Sequence, residues 1–366
     1  VVVAIVGESG MNVLHDDFRT ARGQSVTYPA ALGPVMTVAL PSSGTFADRR
    51  AAVAAGPLGH LAPGRLYGIR GTRLLVVSAP SAFPLTDVTG GGTTTITVGS
   101  SDDPTLHGTG VVDAAIGRRY GTAPDALALL VLGNSSDSWA WVAERPGIDV
   151  ASTSGYEAST RCTAAADVRS FVGSGHPVFS SSGNTGDQGE ALTSPNGLPE
   201  VYQVGGVTAD GKPWGTPHAD SNPFYAVGQV TRPYQTGELY DFPTAAYDST
   251  TGTMRFGGTS GATPRTAGWA ARLVGYARAH RSRHGPLADG TLSRTELVSL
   301  LRHVAVPSMP GQAGGFYVEG YGALNAKAIR HAEQILAGTA TDPGRPDDDA
   351  REAQVEQVRA AAFADC

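Results

Sequence analysis

The spacing of its apolar runs constrains this chain most. Residues 1–6 (VVVAIV) are a continuous, largely β-branched run closed by Gly7, and such a run reads as a strand buried on both faces. Residues 126–132 (ALALLVL) repeat the pattern, and shorter runs at 73–78, 93–98, 148–151, 178–181 and 201–207 read as further strands. Between them lie stretches of helical spacing. These are 108–119, 138–144 and 159–174, the last with Ala164, Ala165, Val168, Phe171 and Val172 as an apolar stripe. Residues 262–280 form the longest helical candidate, with basic residues near its end. Ser293 ahead of Glu296 is a capping-box pattern that opens a helix over 293–304, and 323–337 reads as the last helix of the domain. Strands alternating with helices predict an α/β chain, a mainly parallel β-sheet with helices on both faces. Open parallel sheets bind ligands at the carboxyl ends of their strands, and Glu8, just past the first strand, belongs at that edge.

Composition excludes some function classes. The net charge of −6 implies no basic face, so nucleic acid is not an expected partner. No apolar run approaches the roughly 18–20 residues that span a bilayer, so no membrane span is expected. The 366 residues suffice for one large domain or two smaller ones. Only 16% are charged, while Gly (48) and Pro (24) abound, which predicts many turns and loops. The two cysteines, Cys162 and Cys366, have neither metal-ligand nor redox spacing; they form one disulfide pinning the C-terminus or stand as separate thiols. The chain opens on a strand rather than on the basic start and apolar core of a signal peptide. Residues 339–349, rich in Pro and Asp, read as a linker, and 350–363 as a short amphipathic helix closing the chain.

The chemistry concentrates in Gly258-Thr259-Ser260-Gly261-Ala262-Thr263-Pro264. A serine there opens a long apolar helix, where the helix dipole and free backbone N–H groups favour developing negative charge. By helix logic alone, a capping serine is the commoner reading. The segment, however, closely resembles the GTSMATPHVAG stretch of subtilisin-like serine peptidases, with Gly261 for the usual Met and Arg265-Thr266 for His-Val. Leu106-His107-Gly108-Thr109-Gly110-Val111-Val112 resembles the segment around that family's catalytic histidine. Ser180-Ser181-Ser182-Gly183-Asn184-Thr185-Gly186 resembles the segment that carries its oxyanion-hole asparagine. Val3-Ala4-Ile5-Val6-Gly7-Glu8-Ser9-Gly10-Met11, followed by His15-Asp16-Asp17-Phe18, resembles its first motif, and the register puts Glu8 where the family has its triad aspartate.

The resemblance spans residues 1–19 and 85–338. It implies a subtilisin-like three-layer fold in one domain over 1–338, with 20–85 as a probable insertion, a β-rich flap near the cleft, and 339–366 as linker and tail. It implies a serine endopeptidase that acts through an acyl-enzyme: Ser260 as nucleophile, His107 as base, Glu8 orienting His107, and Asn184 as oxyanion donor. A carboxylate must orient the imidazole and stabilise its cation. Glu differs little from Asp in acidity, so its extra methylene poses a question of geometry. Ile148-Asp149-Val150-Ala151-Ser152-Thr153-Ser154-Gly155-Tyr156 loosely resembles the substrate-binding strand, which makes Ser154 and Gly155 candidates to pair with an extended peptide, as readily as an ordinary turn. Ser182 and Gly183 are candidate pocket walls. His15 is a rival base, and Asp16, Asp17, Asp102 and Asp103 are rival acids read as solvated loop carboxylates.

No cofactor and no catalytic metal are implied. The family's calcium loop has no counterpart in the short stretch 117–124, and Asp187, Gln188 and Glu190 are a weak alternative cluster. A sedolisin-like arrangement, with carboxylates as acid and base on one helix, is disfavoured by His107 and Asn184. The expected partner is a peptide or protein substrate, met by an extracellular monomer. Two alternatives remain: a maturation protease or macrocyclase for one precursor peptide, and an inactive peptide-binding relative.

Overall fold

The computed structural model describes residues 1–21, 24–80, 88–89, 103–133, 135–154, 162–184, 194–207, 242–280, 284–307 and 320–366. The strands are β1 (Val2–Glu8), β2 (Val35–Val38), β3 (Leu66–Ile69), β4 (Leu74–Ser78), β5 (Leu127–Leu132), β6 (Val150–Thr153), β7 (Val178–Ser181), β8 (Tyr202–Val204), β9 (Phe242–Ala245) and β10 (Thr253–Phe256). The helices are α1 (Phe46–Ala55), α2 (Thr105–Ile116), α3 (Ser135–Ala143), α4 (Ala165–Gly173), α5 (Thr259–His280), α6 (Arg294–Val304), α7 (Ala326–Leu336) and α8 (Pro346–Ala362).

An 8-stranded sheet in the order β2-β3-β4-β5-β1-β6-β7-β8 forms the centre. It is parallel except where β3 meets β4. β1 sits between β5 and β6, which explains its all-apolar sequence. Alternation along the strand sorts its side chains into two layers, since successive side chains point to opposite faces. Val3 and Ile5 join a core built from α2, α5, α6 and α7, while Val2, Ala4 and Val6 join one built from α3 and α4. β5 divides in the same way, with Ala128, Leu130 and Leu132 on one side and Leu127, Leu129 and Val131 on the other.

Residues 35–78, within the stretch 20–85 read from sequence as an insertion, supply β2, β3 and β4 to this same sheet. β2 and β3 escaped the sequence reading because their signals are weak. Met36 and Thr37 are exposed at the sheet edge, and Gly68 interrupts β3 because Tyr28 packs where a Cβ would go. Helix α2 begins at Thr105, not 108, so His107 lies inside its first turn. The strand expected at 93–98 lies outside the described residues.

The tail is folded against the body. Helix α8 starts at Pro346, within the stretch read as a linker. Proline suits a first helical turn, and Asp347, Asp348 and Asp349 complement the dipole there. Val355 and Phe363 are buried, and Cys366 pairs with Cys162 in a disulfide with Cα atoms 5.2 Å apart. Arg359 is fully buried. Its guanidinium donates to the carbonyls of Gly197 (3.1 Å), Asn196 (3.2 Å), Val201 (2.9 Å) and Leu198.

Candidate active site

Glu8 ends β1 at the carboxyl edge of the sheet. Between Val6 and Glu8 the pairing with β5 slips by one residue, a bulge with Gly7 at its centre. Gly7 has φ +86°, a conformation that only glycine adopts without strain. Bulges re-aim side chains beside functional sites, and from this one the Glu8 side chain meets the histidine. Glu8 Oε2 accepts a hydrogen bond from His107 Nδ1 at 2.8 Å. Oε1 is buried with no hydrogen-bond partner among the described residues.

Close approach of α2 to the Glu8 loop depends on Gly108. A Cβ there would lie 2.0 Å from the Gly10 carbonyl oxygen and 3.4 Å from Glu8 Oε2. The carboxylate is 4% exposed and the imidazole side chain 44%, so the acid is sheltered while the base faces the cleft. Burial lowers the His107 pKa, but the charge and hydrogen bond of Glu8 outweigh it, and the net direction is upward from 6.5. A carboxylate only accepts, so Nδ1 carries the proton and neutral His107 presents Nε2 as an acceptor.

Ser260 is the second residue of α5. Its Oγ donates to the Ser154 carbonyl at 3.3 Å, and Ser154 Oγ donates to the Ser260 carbonyl at 3.0 Å. Among the described residues there is no hydrogen bond between Ser260 and His107. Phe256 lies between their helices: its ring is 5.5 Å from the His107 ring, edge to face, and it fills the space beside Gly110 and Gly261. The replacements of His by Gly110 and of Met by Gly261 are thereby explained, since a side chain at either position would collide with Phe256 or Phe242.

Asn184 is fixed to the same helix start. Its Oδ1 accepts from the Thr259 N–H at 2.9 Å and from Thr259 Oγ1 at 3.0 Å. These bonds assign the amide orientation, which makes Nδ2 the donor end of the side chain. Gly258 allows this contact: with φ +69°, a Cβ would lie 2.9 Å from Asn184 Oδ1. The Gly183 carbonyl accepts from Thr259 Oγ1 at 3.2 Å, and the Ser182 N–H extends the sheet by donating to the Val204 carbonyl at 3.0 Å. Gly155, Asp187, Gln188 and Glu190 lie outside the described residues. Ser154 is buried, with its hydroxyl and carbonyl both engaged by Ser260 rather than free along an edge.

Of the rival residues, Asp102 lies outside the described residues, and His15, Asp16, Asp17 and Asp103 have structural partners, Asp16 in an exposed pairing with Arg19. His15 is buried, with Nε2 donating to the Gly252 carbonyl at 2.8 Å and Nδ1 accepting from the Asp17 N–H, and burial lowers its pKa. Asp17 and Asp103, read from sequence as solvated, are instead buried and ion-paired, Asp17 with Arg119 and Asp103 with Arg50. Sequence reading missed these pairs because their partners are distant along the chain. Phe256 could have been suspected from its position just before the Gly257-Gly258 turn into α5.

No protein-family model matches the sequence, and no curated protein matches it significantly. Solved structures do. The chain aligns with a mutant form of the protease domain of PatA at TM-score 0.53 and 18% identity, over 93% of this chain and 96% of that one. It aligns with the PatG macrocyclase domain at TM-score 0.53 and 14% identity, over 92% and 91%. The PatG macrocyclase in complex with a peptide aligns at TM-score 0.52 and 13% identity, over 91% and 90%. With a mostly parallel sheet between helical layers, and the acid, histidine, asparagine and serine motifs at its carboxyl edge and the start of α5, the chain has the subtilisin-like peptidase fold.

Proposed function

We propose that this chain is a serine peptidase that cleaves peptide bonds through an acyl-enzyme, using Glu8, His107 and Ser260, with Asn184 as oxyanion donor. The observation that carries the reading is the 2.8 Å bond from His107 to the buried Glu8, which leaves Nε2 as a base beside the helix bearing Ser260. In the resting arrangement the Ser260 hydroxyl rests on the Ser154 carbonyl. Attack requires a rotation of the Ser260 side chain toward Nε2, a torsional change between staggered wells. His107 takes the hydroxyl proton as Oγ attacks the substrate carbonyl, then returns it to the departing amine. Negative charge on the tetrahedral oxygen is met by Asn184 Nδ2 and by the backbone N–H at the start of α5. Water, or a second amine, then releases the acyl group.

A second reading is supported by the likeness to the PatG macrocyclase domain over 92% of the chain: a maturation protease or macrocyclase for one precursor peptide, with the substrate's own amine as acceptor. The peptidase reading carries the further proposal of an extracellular monomer acting on a peptide. The Cys162–Cys366 disulfide supports it, because such bonds persist in oxidising compartments.

The two readings divide on product mass. A peptide library incubated with the wild type and resolved by mass spectrometry should yield fragments whose summed mass exceeds the substrate by one water, and none with Ser260→Ala. A product carrying no added water would favour cyclisation. No product from either protein would count against both.

A further inference from the structure

We infer that Arg50, on helix α1, is a positioning residue for the Glu8–His107 pair. Its guanidinium holds Asp103 in a two-pronged bond, Nη1 to Oδ2 at 2.5 Å and Nη2 to Oδ1 at 3.0 Å. The Asp103 carboxylate is fully buried, and Arg50 is only 13% exposed. Burial raises the Asp103 pKa, but Arg50 and Thr105 outweigh it and hold the group below the usual carboxylate range. Asp103 is therefore an anion at neutral pH, in a place where an anion needs a partner.

That anion sets the start of the helix carrying His107. Asp103 Oδ1 accepts from the Thr105 N–H at 2.9 Å and from Thr105 Oγ1 at 2.6 Å, tying off donors at the first turn of α2. Thr109 Oγ1 donates to the Thr105 carbonyl, and the same oxygen accepts from the Asn12 N–H at 2.8 Å. Asn12 belongs to the loop that follows Glu8, and its side chain is fixed to the carbonyls of Ala246 (2.9 Å) and Ser249 (2.7 Å). One connected path thus runs from Arg50 through Asp103, Thr105 and Thr109 to Asn12. It touches α2 on both sides of His107 and the loop leaving Glu8. Helix α1, in the segment between edge strands β2 and β3, contributes through Arg50 to the acid–base pair without reaching it.

The inference rests on the Glu8–His107–Ser260 reading, and its test separates the two. The His107 imidazole is titrated by NMR in wild type and in Arg50→Met, and fluorophosphonate labelling of Ser260 is timed in both. In wild type the His107 midpoint is expected above the ordinary imidazole value, raised by Glu8. With Arg50→Met, the Glu8–His107 bond loosens, the midpoint falls toward 6.5, and labelling slows about 10- to 100-fold, the scale of a small misplacement of reacting groups. Arg50→Lys keeps the charge without the fork, so it recovers part of both effects, and it carries the test should the Met variant fail to fold. A folded variant whose His107 midpoint and labelling rate match the wild type overturns the inference. A wild type that takes no label counts against the triad, while the His107 midpoint still reports on Arg50.

Discussion

Replacing Glu8 with Ala should slow fluorophosphonate labelling of Ser260 by about 10³- to 10⁴-fold, the loss typical when the orienting acid of a serine triad is removed. The cause is specific. Oε2 is the partner of His107 Nδ1, so without it nothing selects the tautomer that leaves Nε2 as acceptor. Glu8→Gln should lose nearly as much, because an amide can donate to Nδ1 and favour the wrong tautomer. Glu8→Asp keeps the charge but shortens the reach by one methylene, and the Gly7 bulge must relax to restore the bond. An intermediate loss of about 10²-fold is expected, the scale of a misplacement near 1 Å.

The pH profile adds a sign. The base works when neutral, so labelling rises with pH through a midpoint above 6.5. In Glu8→Ala the raising influences vanish while burial remains, and the midpoint moves to lower pH. The same linkage acts on folding. A histidine whose folded pKa is raised contributes stability that is fully present below 6.5 and is lost as pH climbs through the folded value. An unchanged midpoint in Glu8→Ala would mean that some other group sets the His107 ionisation.

The second large effect is on stability. Arg359→Met should destabilise the fold by about 3–5 kcal/mol, measured by urea unfolding, because it removes several charge-assisted bonds to buried carbonyls. The carbonyls of Asn196, Gly197, Leu198 and Val201 all converge on this one guanidinium, which is fully buried with them. Arg359→Lys should recover little, since an ammonium cannot reproduce the planar fork. A cost under about 1 kcal/mol would mean that water or neighbouring donors replace the guanidinium readily.

These two residues show what sequence could and could not reveal. Ser260, His107 and Asn184 each sit inside a short motif whose neighbours are constrained by the same contact. Gly258 makes room for Asn184, and Gly108 makes room for the Glu8 loop. The place of Glu8 at the sheet edge was legible because β1 is so apolar that its end is plain, whereas its role as acid came only from the resemblance. Arg359 was not legible, since backbone carbonyls leave no trace in side-chain sequence and its partners lie some 160 positions away. The Arg50–Asp103 pair was hidden for the same reason of distance. Strands β2 and β3 went unread because an exposed edge and a glycine break their pattern, whereas β1, β4 and β5, buried on both faces, were read nearly to the residue. The serine motif was legible, but the engagement of its hydroxyl by Ser154 was not, because a rotamer is set by packing rather than by residue type.

The central claim, that Glu8, His107 and Ser260 work as one catalytic unit, is tested most directly by intact mass after exposure to a fluorophosphonate probe, with Ser260→Ala alongside. The account predicts one adduct on the wild type, faster above the His107 midpoint than below it, and none on Ser260→Ala. A folded wild type that takes no adduct at any pH would contradict it and would turn the chain into a peptide-binding relative that keeps the geometry of a peptidase without its chemistry.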